Sequence, residues 1–589
     1  MSFRERLIIT GFIFFGALII TRLFYWQIIK GPDLSKKAED QYYNQIKLTA
    51  GRGKILANDG FPFVANTESY LLYADLSLIK TDKEEAVKKI TPFLFVCLQP
   101  VYTLATDSAK VVDCDLQYKE KEQQIREKLN NTKVVWILLG QKISKETKEK
   151  IETLDYNFLI FEREDKRDYP EASVAAHLLG FVGKDINGED TGYFGLEGYF
   201  DRQIKGKDGA IYEERDALGR PIIIGERRIK TAKQGRDLWT SIDRSAQFLA
   251  EQELIKGIKE TGAKKGTIII IDPQTGKLLA LATWPHYDPE EWSRYEKEIY
   301  KNPAAADLFE PGSIMKPLIV AAAINEGKIQ PQTRCPVCAG PLEIGGYTIR
   351  TFNNVYHPNL TVTEILENSD NIGMIYVGRL LGKDKLYEYL TKKYQFNSLS
   401  GIDLQEEESG KVKDKKDLYE VDTLTMTFGQ GININSLQMV RAFSILANGG
   451  YLINPYIVEK ITDNGKTVWE KKVEKKKILE KKTASVLSEM LVSVTEKSPL
   501  HFPKDRIPEL SAYRIAAKSG TAQISIGGKY QEGKTIGSVI GFAPVENAKF
   551  LILVKLDEPA NRPWGSDTAG PIFFNLVRDL LVYYKIPPQ

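Results

Sequence analysis

The sequence predicts an α+β protein of several domains behind a single N-terminal membrane helix. Three features predict it. Residues Leu7–Thr21 are almost wholly apolar, and no second run like it occurs. From about Tyr70 to Ile160, charged helical segments such as Asp115–Asn130 and Ile143–Thr153 alternate with short apolar strands such as Val134–Leu139. Near residue 236 the texture changes again, to apolar strands joined by tight turns and followed by helices. A length of 589 residues suits roughly three to four domains.

The composition narrows the chemistry. Eighty-one basic residues against 78 acidic ones leave a net charge of +3, with no excess to hold nucleic acid. Four cysteines are too few for a disulfide scaffold, and four histidines argue against a His-rich metal enzyme. Hydroxyls, amines and carboxylates are the groups left to react, and neither cofactor nor metal is expected.

The apolar run is a little short for a span of about 20 residues. Continued to Ile29, with Arg22 snorkelling and Tyr25 and Trp26 at the interface, it is long enough. Arg4 and Arg6 precede it, so the positive-inside rule puts the N-terminus in the cytoplasm and the bulk of the chain outside. No small-x-small cleavage site stands before Gly31-Pro32, and an uncleaved single-pass anchor is expected. The expected divisions are residues 1–30 for stub and anchor, 31–235 for a pedestal and 236–589 for a catalytic domain.

The pedestal begins with a polar helical stalk, Asp33–Ile46, and a strand in Ala50–Gly60 with an Asp-Gly turn. The glycines of Gly192–Phe200 and Gly206–Arg220 read as turns and hairpins rather than phosphate loops, because no strand-loop-helix context surrounds them. In the last division, Leu238–Asp243 is strand-like and Ser245–Lys259 helical. Gly266–Pro273 and Gly276–Ala282 form a hairpin with turn residues where a turn needs them.

Glu310–Pro317 then stops a loop and opens an apolar helix that Gly327 ends. Ser313 sits in its first turn, near free N–H groups and the positive end of the helix. Lys316 lies one turn on, along the same face. A desolvated amine there loses its proton easily and can activate the hydroxyl. Taken alone, the octapeptide is a capping serine and a solvated lysine. Ser369-Asp370-Asn371 stands between two helical segments, where hydroxyl and carboxamide can share one cleft. Lys518-Ser519-Gly520-Thr521 follows the strand-like Tyr513–Ala517; an ammonium and a hydroxyl beside glycine suit a carboxylate that must come close. Phe428–Ile432 is a Gly-rich turn before the helix Leu437–Ala447.

In this order, Ser-x-x-Lys, Ser-x-Asn and Lys-Ser-Gly-Thr are the motifs of penicillin-recognising acyl-serine transferases. With GRGKILANDG, KRDYP…AAHLLGFVG, GLEGYFDRQIKGKDG and GFAPVENAKFLILVKLDEP, the chain resembles a class B penicillin-binding protein over nearly its whole length. The resemblance implies a β-lactamase-like antiparallel sheet flanked by helices, and a D,D-transpeptidase of peptidoglycan in division or elongation, with carboxypeptidase side activity possible. It implies Ser313 as nucleophile and Lys316 as acylation base. Ser369 and Lys518 would pass a proton to the leaving amine, and Asn371 would hold the donor amide. Ser519, Gly520 and Thr521 would bind substrate, with the N–H groups of Ser313 and Thr521 as oxyanion hole. Implied ligands are D-Ala-D-Ala stem peptides, an acceptor amine and β-lactams. An implied partner is a membrane glycan polymerase of the shape-elongation-division-sporulation type, reached from the cytoplasmic membrane.

A β-lactamase or penicillin sensor shares the three motifs, and a non-enzymatic scaffold is a further alternative. Asn433–Gln438 and Gln405–Gly410 depart from the family pattern without touching an expected catalytic atom. Cys335-x-x-Cys338 admits a local disulfide, free thiols, or a metal or redox pair, and Cys97 and Cys114 flank a possible hairpin and admit a pairing of their own.

Overall fold

The protein was analysed as a computed structural model, which describes residues 2–97, 113–214, 222, 227–351, 354–498, 507–526, 529–560 and 562–588. The chain forms two compact units, Met1–Arg52 with Lys205–Gly235, and Gly53–Ile204 with Arg236–Gln589. The expected pedestal therefore contributes to both.

In the first unit a helix, Phe3–Phe24, runs into a π-helical turn, Tyr25–Ile29. Together they span 27 residues, with an 18-residue stretch of mean hydropathy 2.2, and none of the 27 is buried. A soluble core helix this apolar hides at least one face; a helix apolar all round and open all round is a membrane anchor. The Arg22 guanidinium lies 5.3 Å from the Trp26 ring and 5.8 Å from that of Tyr25, which is snorkelling with aromatic support.

The expected helical stalk is only partly helical. Gly31–Tyr42 is a helix, but Tyr43–Leu48 is a strand at one edge of a three-stranded antiparallel sheet. It pairs with Gly209–Glu214, Tyr43 opposite Glu214 and Leu48 opposite Gly209, and Arg227–Lys230 pairs on the far side. The strand partner lies far along the chain, which local periodicity does not report. Of Gly206–Arg220, residues 215–220 lie outside the described residues.

The second unit has two parts. In the first, a long strand, Pro62–Asp75, is flanked by Trp136–Ser144 and Leu159–Asp168, both antiparallel to it. Helices Lys83–Leu94, Cys114–Leu129 and Lys145–Glu152 bury Val87, Ile90, Ile125, Leu129 and Ile151 in a core with Leu72 and Leu139 of the strands. Cys97 and Cys114 form a disulfide; the segment between them, expected as a hairpin, includes 98–112, outside the described residues. The Asp59-Gly60 turn is present, Gly60 N–H donating to Ala57 O at 3.0 Å with Gly60 at φ +87°.

The GLEGYF stretch differs from its reading as turns. Gly195–Tyr199 is a short helix after the hairpin of Phe181–Lys184 and Asp190–Tyr193. Its Glu197 is fully buried and accepts from Arg167 Nε at 2.7 Å, while Arg167 Nη1 donates to Asn66 Oδ1 at 2.8 Å. His177 is buried between Ile299 O and the Thr283 hydroxyl, and burial pulls its pKa down to about 4, so it is a neutral structural ring.

The second part is a five-stranded antiparallel sheet in the order Leu278–Trp284, Lys265–Ile271, Phe550–Asp557, Lys529–Ala543, Ala516–Ile526. Ile268–Ile271 are buried throughout, as a strand covered on both faces requires. Helices Arg244–Thr261 and Gly565–Tyr583 pack on this sheet and on each other, and Ser436–Ala447 also packs on its strands. Lys316–Asn325, Val362–Glu367, Asn371–Leu381 and Lys481–Lys497 pack together as a helical group; the last lies against the edge strand Ala516–Ile526. The hairpin and helices expected from sequence lie within a few residues of these bounds.

Removing one member of a buried ion pair strands the other. Glu197→Ala is expected to lower unfolding free energy by about 3–5 kcal/mol, read from urea unfolding of the full chain.

Candidate active site

The cleft is assembled from four stretches that the chain brings together by close backbone approach. Gly312–Met315 is one turn of 3-10 helix leading into the α-helix Lys316–Asn325, with Pro317 in its first turn, where a missing N–H costs nothing. Gly312 stands at φ +58° and Gly429 at φ +79°. Gly312 N–H donates to Gly429 O at 3.1 Å, and a Cβ on Gly429 would lie 2.2 Å from Gly312 O. The FGQGI turn thus contributes glycine because backbone sits on backbone there. Ser313 is half-buried, and its hydroxyl carries no hydrogen bond among the described residues.

Lys316 is fully buried and Lys518 nearly so, 1% exposed. Lys316 Nζ donates to Ser369 O at 2.5 Å and to Asn371 Oδ1 at 2.8 Å, and lies 3.2 Å from Ser369 Oγ. Lys518 Nζ donates to Ser519 O at 2.9 Å and lies 3.1 Å from the same Ser369 Oγ. A neutral Lys316 has two hydrogens for its two carbonyl-type acceptors and one lone pair left for the Ser369 hydroxyl. That hydroxyl can then accept from Lys518. If both amines were ammonium ions, the Ser369 hydrogen would face only donors.

The electrostatics agree. Burial, with the like charge of Lys518 beside it, pushes the Lys316 pKa well below the usual lysine range, against a smaller opposing pull from Asp370. Burial alone brings Lys518 down to about 7. Asp370 is occupied elsewhere, its carboxylate capping the helix Asn371–Leu381 by accepting from Gly373 N–H at 2.8 Å.

Ser369 holds its place at φ +51°, a left-handed conformation that costs a non-glycine residue about 1 kcal/mol or more. Asn371 Nδ2 donates to Arg350 O at 3.2 Å, which turns its carbonyl oxygen to Lys316. Lys518–Thr521 lie within the edge strand rather than at a strand end as the sequence suggests. Gly520 is required by contact, since a Cβ would stand 2.7 Å from Ser538 Oγ and 3.0 Å from Ile314. Thr521 Oγ1 accepts the N–H of Gly565, first residue of the C-terminal helix, at 3.0 Å, which leaves its proton free for an anion.

The structure thus brings Lys316, Ser369, Asn371, Lys518 and Ser519 into direct contact and sets Gly520 and Thr521 against the turn that carries Ser313: the Gly520 Cβ position meets Ile314, and that of Gly312 meets Thr521 O. The departures from the family pattern are structural. Asn435 and Gln438 form a capping box, and Glu407 accepts from Ser400 and Gly401 N–H groups. Sequence reasoning missed the Arg350 carbonyl, a backbone group with no signature, and Gly565, whose Cβ would lie 2.1 Å from Gly520 O. Cys335 and Cys338 form a local disulfide.

Sheet, helix-borne serine and paired buried lysines define the serine class that recognises penicillin. The penicillin binding protein transpeptidase domain matches residues 266–578, and the penicillin-binding protein dimerisation domain matches residues 47–240. The chain belongs to the penicillin-binding proteins, in the class B arrangement of these two domains. It is 28% identical over 598 residues to stage V sporulation protein D of Bacillus subtilis, covering all of this chain and 87% of that one. It is 31% identical over 473 residues to a probable peptidoglycan D,D-transpeptidase PenA of Neisseria meningitidis, covering 79% and 76%. Penicillin binding protein 2X of Streptococcus thermophilus shares the fold at a TM-score of 0.73 and 22% identity, over 92% of this chain and 80% of that one. A peptidoglycan synthetase of Bifidobacterium adolescentis does so at 0.70 and 23%, over 93% and 98%.

An unfolded lysine keeps its proton to about pH 10, whereas Lys518 gives its up near 7. Unfolding therefore takes up a proton between those values, and stability rises with pH across that window. In Lys518→Met the gain in urea-unfolding free energy from pH 7 to pH 9 is expected to be smaller by about 1–2 kcal/mol; an equal gain would mean that Lys518 stays charged in the fold.

Proposed function

We propose that the protein is a peptidoglycan D,D-transpeptidase that cross-links stem peptides through an acyl-enzyme on Ser313. The observation that carries this reading is the Ser369 hydroxyl set between two buried amines, 3.2 Å from one and 3.1 Å from the other. Such a hydroxyl relays protons without net charge movement. Lys316 takes the Ser313 proton, its lone pair freed as the Ser369 hydroxyl turns toward the leaving nitrogen. Ser313 Oγ bonds to the carbonyl carbon of the penultimate D-alanine. The oxyanion is met by the N–H groups of Ser313 and Thr521. The C–N bond then breaks, and the terminal D-alanine leaves with a proton delivered through Ser369 from the lysine pair. An amine of a second stem peptide attacks the ester, loses a proton to Lys316, and Ser313 is released with its proton restored.

Lys518, Ser519 and Thr521 hold the donor carboxylate, with Gly520 leaving room for its approach, and Asn371 holds the donor amide. β-Lactams offer the same carbonyl and carboxylate and acylate Ser313 in place of the donor. The apolar helix anchors the chain in the cytoplasmic membrane with the catalytic unit outside, since Arg4 and Arg6 precede it. Its partner in this reading is a membrane-embedded glycan polymerase in the same bilayer.

A hydrolytic β-lactamase would release the acyl group quickly, so adduct lifetime separates the two. Fluorescent penicillin is expected to label the wild-type protein in a form that survives denaturing gels. Ser313→Ala is expected to lose labelling by about 10³-fold or more. Fast return of free enzyme, or labelling that persists in the variant, would overturn the assignment.

A further inference from the structure

Glu310 stands three residues before the nucleophile and is not used by the mechanism above. Its carboxylate is partly withdrawn from water, and burial pushes its pKa up. Oε1 accepts the N–H of Gly431 at 2.9 Å, and Oε2 accepts the hydroxyl of Tyr530 at 3.1 Å. Both donors are neutral, and among the described residues no lysine or arginine pairs with it. A half-buried carboxylate held in one orientation by neutral donors is a fixed negative charge that a cation would complement.

Its place along the cleft says what would fill it. Ala516–Ile526 is the last strand of its sheet and has no strand partner on its outer side, the edge at which an extended peptide adds. With the donor carboxylate toward Lys518 and the attacked carbonyl at Thr521, the donor runs antiparallel to this strand. Its preceding residues then lie beside Gln523 and beyond, at roughly 3.3 Å per residue. A Cβ on Gly312 would touch Thr521 O and Ala522, which sets the Glu310–Ser313 segment alongside that stretch. Tyr530, opposite Ser525 on the returning strand and 47% exposed, brings its hydroxyl to Glu310 from the hairpin end. The residue just before the penultimate D-alanine is thus within a side chain's reach of the carboxylate.

Resting on the transpeptidase reading, we propose that Glu310, oriented by Gly431 and Tyr530, is the counter-charge for a side-chain ammonium on the third residue of the donor stem peptide. The protein then selects donors whose third residue carries a free amine, and Glu310 is a specificity-determining residue of the donor site.

The test uses the full-length protein in detergent and two soluble donors, Nα-acetyl-lysyl-D-alanyl-D-lactate with its ε-amine free or acetylated. Acylation is followed as released D-lactate. The wild-type protein is expected to favour the free amine by about tenfold in kcat/KM, and Glu310→Gln, which keeps an acceptor for Gly431, to bring that ratio toward one. A wild-type ratio near one overturns the assignment. So does a variant in which both donors slow together with the ratio intact, the sign of a purely structural tie. Benzylpenicillin separates this from the wider reading: a protein it acylates but that ignores the amine lacks only the Glu310 role, and a protein acylated by neither donor nor benzylpenicillin is not a transpeptidase.

Discussion

Two lysine amines share one serine hydroxyl in a place that water does not reach, and much of the catalytic unit exists to keep them there. Isolated ammonium groups resist such burial; here the resistance is relieved by giving up a proton, because each remaining N–H finds an oxygen. That arrangement fixes the strain at Ser369, the cap by Asp370 and the orientation of the Asn371 amide. The strain is of order 1 kcal/mol or more. The alternative, an unpaired buried amine, costs several kcal/mol, so the backbone yields.

The second recurring constraint is glycine used for contact rather than flexibility. Gly429 meets the Gly312 backbone, Gly312 meets the Thr521 carbonyl, and Gly565 meets the Gly520 carbonyl. Each pair joins stretches remote in sequence, so the turn that carries Ser313, the edge strand and the C-terminal helix approach one another backbone to backbone. Hydrogen bonds such as those from the two lysines to Ser369 hold over a range of about half an ångström, and direct backbone packing keeps that geometry better than long side chains do.

The sequence was most legible where chemistry and local order coincide. Motif order points to Ser313, Lys316, Ser369, Asn371 and Lys518, and the structure joins the last four by hydrogen bonds. The helix expected over Leu437–Ala447 is observed as Ser436–Ala447, one residue longer at its start. What escaped was non-local. Tyr43–Leu48 reads as helix continuation until its partner more than a hundred and fifty residues away is known. The Lys518–Thr521 stretch looks like a strand end because its glycine and polar residues lack β propensity; pairing with Lys529–Ala543 overrides that. The Arg350 carbonyl acts through backbone alone, so no residue type announces it.

That same non-local sheet sets an order of events at the ribosome. Tyr43–Leu48 emerges just after the anchor helix, but its partner Gly209–Glu214 follows only after the whole intervening segment. At about 5–20 residues per second, the first strand waits roughly 8–30 seconds with its edge unpaired. The core encoded in between has time to form first, so the three-stranded sheet closes only after the segment between its first two strands has folded.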